Sequence, residues 1–172
     1  MKKFEFTGEV NPQGLKRIRA LVDLPKMRVK VGDLGGFLEK EDNLSHRDSC
    51  WVSGNARIWG DARIWGDARI EGNARIEGNA CIWGDARIEG NARISNKAVI
   101  SNTQDYLTIS PVGSENGILT VFRTSNGLSV TRGCFEGTLE AFEEAVKTKH
   151  KGTQHETKYL SLLNYVKTHF GV

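Results

Sequence analysis

Histidine is the residue type most able to supply a general base or a zinc ligand, and the chain has four: His46, His150, His155 and His169. A histidine-type catalytic zinc site needs three such side chains to converge, and acyl transfer needs one as a base beside its substrate. Three of the four lie near the C-terminus, and none falls within the repeat described below. We therefore expect no metal centre and no catalytic residues, with His46 the one candidate base near the repeat.

The thiols of Cys50, Cys81 and Cys134 are possible nucleophiles. They lie far apart in the sequence and form no CxxC pair, which argues against a disulfide framework or a zinc cluster. Cys134 lies between a predicted strand and a predicted helix, but no histidine is close to it in sequence. The chain also lacks a phosphate-binding loop of the Walker type and a dinucleotide fingerprint, so we expect no cofactor.

Arginine and tryptophan provide clearer binding chemistry, because guanidinium groups recognise phosphates and indole rings stack on planar groups such as purines. The net charge is only +3, which does not predict binding to a nucleic-acid polymer. These residue types suit a small anionic ligand such as a nucleotide, and a purely structural role for each of them is the alternative. The candidate ligand-binding residues are Arg57, Trp59, Arg63, Trp65, Trp83, Arg123 and Arg132.

A six-residue repeat from Val52 to Asn102 must position most of these side chains. Isoleucine recurs every six residues from Ile58 to Ile100, and alanine does so from Ala56 to Ala98. A short strand followed by a sharp bend at Gly-Asn or Gly-Asp fits this period, and three such units close one coil of a parallel β-helix. Isoleucine then points inward and its neighbours point outward.

Residues eighteen positions apart should stack directly, about 4.8 Å apart along the axis. One outward face then carries Trp65 and Trp83 in one column and Cys81 and Val99 in the other. Exposed aromatic patches of this kind mark interfaces, so we predict that this face is covered by a neighbouring subunit or by the C-terminal domain. A ligand-stacking platform and isolated exposed tryptophans are the other interpretations.

The remaining two faces carry mainly charged side chains. The first of these faces has a column of arginines beside a column that contains a tryptophan, a glutamate and a serine. On the second face, arginines lie opposite glutamates, and we predict that they form exposed ion pairs. The first comprises Arg57, Arg75 and Arg93 with Trp59, Glu77 and Ser95, and the second Arg69 and Arg87 with Glu71 and Glu89.

The repeat divides the chain into an N-terminal cap with an irregular first coil (1–51), the β-helix (52–102) and a C-terminal α+β domain (103–172). In the cap, the alternating residues 26–31 predict a half-buried strand whose outer face carries Lys26, Arg28 and Lys30. An anion-binding role for these residues, together with Lys16, Arg17 and Arg19, is the alternative.

The C-terminal domain is predicted to contain three strands and two helices. YLTIS, GILTVFRT and GLSVTRG form the strands, with hairpin turns at SENG and at Asn126-Gly127. Thr138 can cap the helix LEAFEEAVKTKH, and ETKYLSLLNYVKTHF forms the next one. The predicted fold is therefore mainly β, a parallel β-helix followed by a small β3α2 domain.

The hexads resemble those of the left-handed β-helix proteins, and the left-handed sense is implied by this resemblance. The segment GDLGGF…NLS…CWVSGNA, from Gly32 to Ala56, resembles a bacterial and bacteriophage branch of that group. The tail from ISPVGS to RGCFEGTLEAF resembles an accessory domain of phage and prophage proteins. Well-studied members of the fold are homotrimeric acyltransferases and zinc-dependent carbonic anhydrases, but the histidine pattern fits neither activity.

We therefore expect a non-enzymatic binding protein that self-associates as a trimer or dimer, the trimer being implied by the fold. The phage resemblance implies a counter-defence protein that sequesters a small anion such as a nucleotide second messenger. The alternatives are a CoA-dependent acyltransferase and a structural assembly module. The sequence has neither an apolar run long enough to span a bilayer nor a secretory signal, so we expect no membrane partner and a cytoplasmic location in a bacterial cell.

Overall fold

The computed structural model describes residues 1–95 and 97–172. By its internal contacts the chain divides into two compact units, Met1–Thr103 and Gln104–Val172. The first is a parallel β-solenoid of about four turns, and the second contains a four-stranded antiparallel sheet and two helices. These observations confirm the predicted fold class at this level; the left-handed sense of the coil stays a prediction.

The first unit begins with an antiparallel hairpin that the sequence pattern did not predict. Strand β1 (Phe4–Val10) pairs with β2 (Lys16–Ala20), which pairs with β3 (Leu34–Leu38). The register shifts between Phe6 and Val10, and such a bulge interrupts the period-two alternation by which a strand is found in a sequence.

The predicted strand at residues 26–31 was wrong. Pro25–Met27 forms a turn of 3-10 helix, and Arg28 adopts the left-handed conformation with a φ of 56°. Proline favours the start of a helical turn because its φ is already set. The alternation of burial holds only in part: Met27 and Val29 are buried and Lys26, Arg28 and Lys30 are exposed. Val31, the last apolar residue of the pattern, is exposed as well.

Each hexad of the repeat forms one two-residue strand followed by a tight turn. The turn glycines have φ values near +70°, which L side chains adopt only with strain. The strands are β4 (Trp51–Val52), β5 (Arg57–Ile58), β6 (Arg63–Ile64), β7 (Arg69–Ile70), β8 (Arg75–Ile76), β9 (Cys81–Ile82), β10 (Arg87–Ile88), β11 (Arg93–Ile94) and β12 (Val99–Ile100).

The strands stack in three parallel ladders, with partners eighteen residues apart as predicted. The first ladder extends the cap sheet in the order β1-β2-β3-β5-β8-β11, the second is β4-β7-β10 and the third is β6-β9-β12. The alanines and isoleucines of the repeat fill the interior, and none of them is more than 1% exposed. Stacking therefore places side chains from equivalent positions of the repeat in columns on the three outer faces of the solenoid.

In the second unit, strands β13 (Tyr106–Val112), β14 (Gly117–Thr124) and β15 (Gly127–Arg132) match the three that the sequence predicted. A fourth strand, β16 (Phe135–Thr138), was missed because FEGT is short and contains a glycine.

Helices α1 (Leu139–Lys149) and α2 (Gln154–Phe170) pack on this sheet, and Thr138 caps α1 as predicted. Their buried side chains include Phe142, Tyr159 and Leu163. No helix in the described residues has the length and apolar character of a membrane span.

Candidate functional site

The strongest candidate site is a groove on the first face of the solenoid. Its volume is about 430 Å³, within the usual range for small-molecule sites. It contains two of the predicted ligand-binding residues, Arg57 and Trp59. The lining residues are Gln13, Gly14, Leu15, Glu39, Arg57, Trp59 and Arg75.

The arginines of the groove are held in register by the ladder. Arg57 pairs with Arg75 across parallel strands, and their backbone amides donate to the carbonyl oxygens of Ala74 and Ala92 at 2.9 and 2.8 Å. Neighbouring strands lie about 4.8 Å apart, so the two guanidinium groups start from adjacent positions on one surface. Within the described residues, neither guanidinium makes an ion pair.

The second outward column supplies Trp59 and Glu39. The amide of Trp59 donates to the carbonyl oxygen of Ile76 at 3.1 Å, and the indole is half-buried. One oxygen of the Glu39 carboxylate accepts a hydrogen bond from the amide of Gly60 at 2.6 Å. The groove therefore has a fixed acidic group on one side and an arginine pair on the other.

The β1–β2 turn forms the third side of the groove. Asn11 organises this turn, because its side-chain oxygen accepts hydrogen bonds from the amides of Gln13 and Leu15, each at 3.0 Å. Gly14 has a φ of 81°, a conformation that favours glycine. The turn thus has a defined shape although it lies at the end of a hairpin.

The third face carries the predicted interface residues, and it includes a pair of stacked indoles. The rings of Trp65 and Trp83 lie 5.2 Å apart between centroids with an interplanar angle of 5°. Both rings are half-buried, as are Cys81 and Val99 in the neighbouring column, while Arg63 is exposed. This arrangement confirms the predicted stacking. What covers this face stays a prediction.

The two candidate arginines of the second unit have partners within that unit. Arg123 forms an ion pair with Asp105 at 3.2 Å and donates to the carbonyl oxygen of Phe170 at 3.1 Å. Arg132 donates to the carbonyl oxygen of Val112 at 2.9 Å and to the hydroxyl of Tyr159 at 3.2 Å. These contacts account structurally for both residues and do not test their role in binding.

His46, the candidate base, is engaged at both ring nitrogens. The amide of Lys3 donates to Nδ1 at 3.0 Å, and Nε2 lies 2.8 Å from Glu41. Because Nδ1 accepts the hydrogen bond from the Lys3 amide, the ring hydrogen is on Nε2, which donates to the Glu41 carboxylate. The ring also stacks on Phe4 at 4.4 Å between centroids. This histidine has no free lone pair with which to accept a proton from a substrate.

Residues 1–95 and 97–172 contain no group of three or more His, Cys, Asp or Glu side chains arranged to hold a metal ion. Scans against protein-family models and against curated proteins find no match for this chain.

The candidate ligand-binding residues named from the sequence did not include three parts of the groove. Arg75 could have been added, because it lies eighteen residues after Arg57 in the same column. Glu39 and the turn at residues 13–15 could not, because they precede the regular repeat and no periodicity relates them to Trp59. Only the pairing of β2 with β3 brings the turn to this face.

Proposed function

We propose that this protein binds a small anionic ligand with a planar ring, such as a nucleotide, in the groove beside Trp59. The observation that carries the proposal is the pair Arg57 and Arg75, stacked on adjacent strands without an acidic partner in the described residues, beside a half-buried indole. Guanidinium groups recognise phosphates in a bidentate manner, and tryptophan offers a face on which a base can stack.

The neighbouring face shows how the same repeat behaves when its charges are internally compensated. There, Arg69 and Glu71 form an ion pair at 3.0 Å. On the face that carries the groove, Glu77 follows Arg75 at the same spacing, but these two described residues form no ion pair. Like charges directly opposite each other on paired strands repel, so a bound anion would relieve a repulsion that the protein leaves in place.

The position of Glu39 suggests the orientation of the ligand. Its carboxylate, held by the amide of Gly60, would repel a phosphate but could accept a hydrogen bond from the amino group of a base. The phosphate would then lie at Arg57 and Arg75, and the ring would stack on Trp59. We propose sequestration rather than catalysis, because the residues lining the groove include no histidine or cysteine.

The resemblance to phage and prophage proteins supports a biological setting for such sequestration. A phage-encoded protein that removes a nucleotide second messenger would silence a bacterial defence signal without needing catalytic residues. We propose this counter-defence role as the setting in which the groove acts.

We further propose that the protein self-associates through the face of Trp65 and Trp83. Their parallel stack beside Cys81 and Val99 forms an apolar surface of the kind found at subunit interfaces. The double variant Trp65→Ser/Trp83→Ser should then be smaller than the wild type in sedimentation and native mass spectrometry, while Trp59→Leu should retain the wild-type mass. A monomeric wild type would contradict self-association.

Calorimetric titration against cyclic mononucleotides, cyclic dinucleotides and linear nucleoside phosphates tests the groove. At least one should bind with a Kd of about 10 μM or lower. Arg75→Gln should weaken binding about tenfold or more, because a hydrogen-bonded charge pair contributes about 1.5–3 kcal/mol. Arg87→Gln is the matched control, since it changes an exposed arginine on another face. Absence of any binder, or equal weakening by both variants, would refute the proposal.

The acyltransferase alternative has less support. The two hydrogen bonds of His46 leave it no lone pair for a substrate. Binding of CoA by the wild type that is lost in His46→Ala would revive that alternative. Co-purification with a larger assembly would favour the structural module instead.

A further inference from the structure

The second unit contains a cavity of about 390 Å³ that lies outside the groove described above and is lined entirely by residues of that unit. Its walls come from the β13–β14 turn, the β15–β16 turn, one side of α1 from Phe142 to Lys149, and the first part of α2. The lining residues that matter for its chemistry are Glu115, Arg132, Cys134, Phe142, Lys149 and Tyr159.

Arg132 is held in a fixed position at this cavity. Its Nη2 donates to the carbonyl oxygen of Val112 at 2.9 Å and its Nε donates to the hydroxyl of Tyr159 at 3.2 Å. A Cβ at Gly117 would lie 2.5 Å from Nη1 of the guanidinium, and a Cβ at Gly113 would overlap the hydroxyl of Tyr159, so these two glycines leave the space that Arg132 and Tyr159 occupy. The side chain is only 11% exposed. A guanidinium fixed in this way recognises an anion without losing rotamer entropy.

One edge of this guanidinium remains weakly occupied. Its Nη1 lies 3.8 Å from Glu115, whose side chain is 82% exposed. An ion pair at that distance with so exposed a partner contributes little. Lys149 also lines the cavity and makes no ion pair within the described residues, so the positive charge around the cavity exceeds the negative charge.

The rest of the cavity wall is largely apolar. The rings of Phe135 and Phe142 lie 5.1 Å apart in an edge-to-face arrangement, and Val146 lies beside them. Tyr159 meets Phe142 edge-to-face at 5.7 Å between centroids, and His150 stacks on Tyr159 at 5.5 Å. Apolar walls with a few convergent polar groups are typical of small-molecule sites.

We propose that this cavity binds a small aromatic acid, whose carboxylate or phosphate replaces Glu115 at Arg132 while its ring packs against Phe135 and Phe142. Lys149 adds a second positive charge near the anion. The second unit alone forms this site, whereas the first unit forms the groove. The ligand proposed here needs an apolar ring, whereas the ligand proposed for the groove needs a base that can form hydrogen bonds. Glu115 acts as a resident competitor that the ligand displaces.

The exposed thiol of Cys134 at the cavity provides a reporter for the test. In the full chain carrying Cys81→Ser, the rate of Cys134 modification is measured with dithiobis(nitrobenzoate), an aromatic dianion, and with neutral dithiodipyridine. Cys50 is buried and does not compete. The rate with the dianion should saturate with reagent concentration, and phenyl phosphate or benzoate should protect the thiol; the stronger protector identifies the preferred anion.

Two variants should change the rate with the dianion in opposite directions. Glu115→Gln should raise it about threefold and Lys149→Gln should lower it about threefold, as expected for one charge several ångströms away near a protein surface. The rate with dithiodipyridine should not change. Lys151→Gln, an exposed lysine that does not line the cavity, should match the parent. A rate that stays linear in dianion concentration, with no protection by either acid, would overturn the proposal.

Discussion

Two stretches of the repeat have the same sequence, RIEGNARI, at residues 69–76 and 87–94. Their glycines, Gly72 and Gly90, occupy the same corner of successive coils with φ values of 73° and 68°. Their surroundings nevertheless differ. A Cβ on Gly72 would lie 2.8 Å from the carbonyl oxygen of Gly90 and 3.0 Å from its amide nitrogen, whereas a Cβ on Gly90 would meet no atom within 4 Å. Comparing Gly72→Ala with Gly90→Ala therefore separates the cost of backbone strain, which both variants share, from the cost of a clash with the next coil, which only Gly72→Ala has.

The two costs can be estimated separately. An alanine in the left-handed region costs about 1–2 kcal/mol, and this cost applies equally to Gly72→Ala and Gly90→Ala. At Gly72 the new methyl group also meets backbone atoms, which cannot rotate away, so the coils must separate locally. Overpacking of this kind costs about 1–3 kcal/mol more. We expect Gly72→Ala to lower the free energy of unfolding by about 2–5 kcal/mol and Gly90→Ala by about 1–2 kcal/mol.

Urea unfolding followed by tryptophan fluorescence measures both variants. All four tryptophans lie in the first unit, so the signal reports the solenoid alone. The midpoints should shift while the m-value stays constant. Equal losses for the two variants would refute the reasoning, because they would mean that the coil stacked against Gly72 does not constrain it.

Three further predictions concern other residues. Asn43→Ala should lower the free energy of unfolding by about 2–4 kcal/mol in the same assay, because its buried amide donates to two carbonyl groups that would be left unpaired. Hydrogen bonds from Lys167 and Lys147 lower the pKa of Glu143, so the ionised carboxylate stabilises the fold above its ordinary pKa and this stabilisation is lost as the pH falls. Glu143→Gln should therefore make the free energy of unfolding, measured by circular dichroism, depend less on pH on the acid side. Burial raises the pKa of the Cys50 thiol, so dithiobis(nitrobenzoate) should modify Cys134 first and Cys50 only after unfolding. An unchanged urea midpoint for Asn43→Ala would contradict the first prediction. The second would be contradicted if Glu143→Gln and the wild type lost stability equally as the pH falls, and the third if Cys50 were labelled before unfolding.

Part of the candidate site could be read from the repeat. Arg57 and Trp59 flank an inward isoleucine, so period-two alternation already placed them on the outer surface. The spacing of eighteen also predicted the stack of Trp65 on Trp83. The turn at Gln13 could not be predicted in this way, since the bulge in β1 hides the hairpin that brings the turn to the groove. Glu39 could not either, because it precedes the regular repeat.

The sequence by itself determined the coil. Isoleucine, alanine and glycine recur at fixed positions, and each hexad has the same local preference for a short strand and a left-handed bend. Only the tertiary structure decided what each outward side chain meets. Arg69 finds a glutamate while Arg75 does not, and Gly72 is covered by the next coil while Gly90 is open. The physical reason is that an outward residue takes its environment from neighbouring coils and from the cap, which local sequence does not specify.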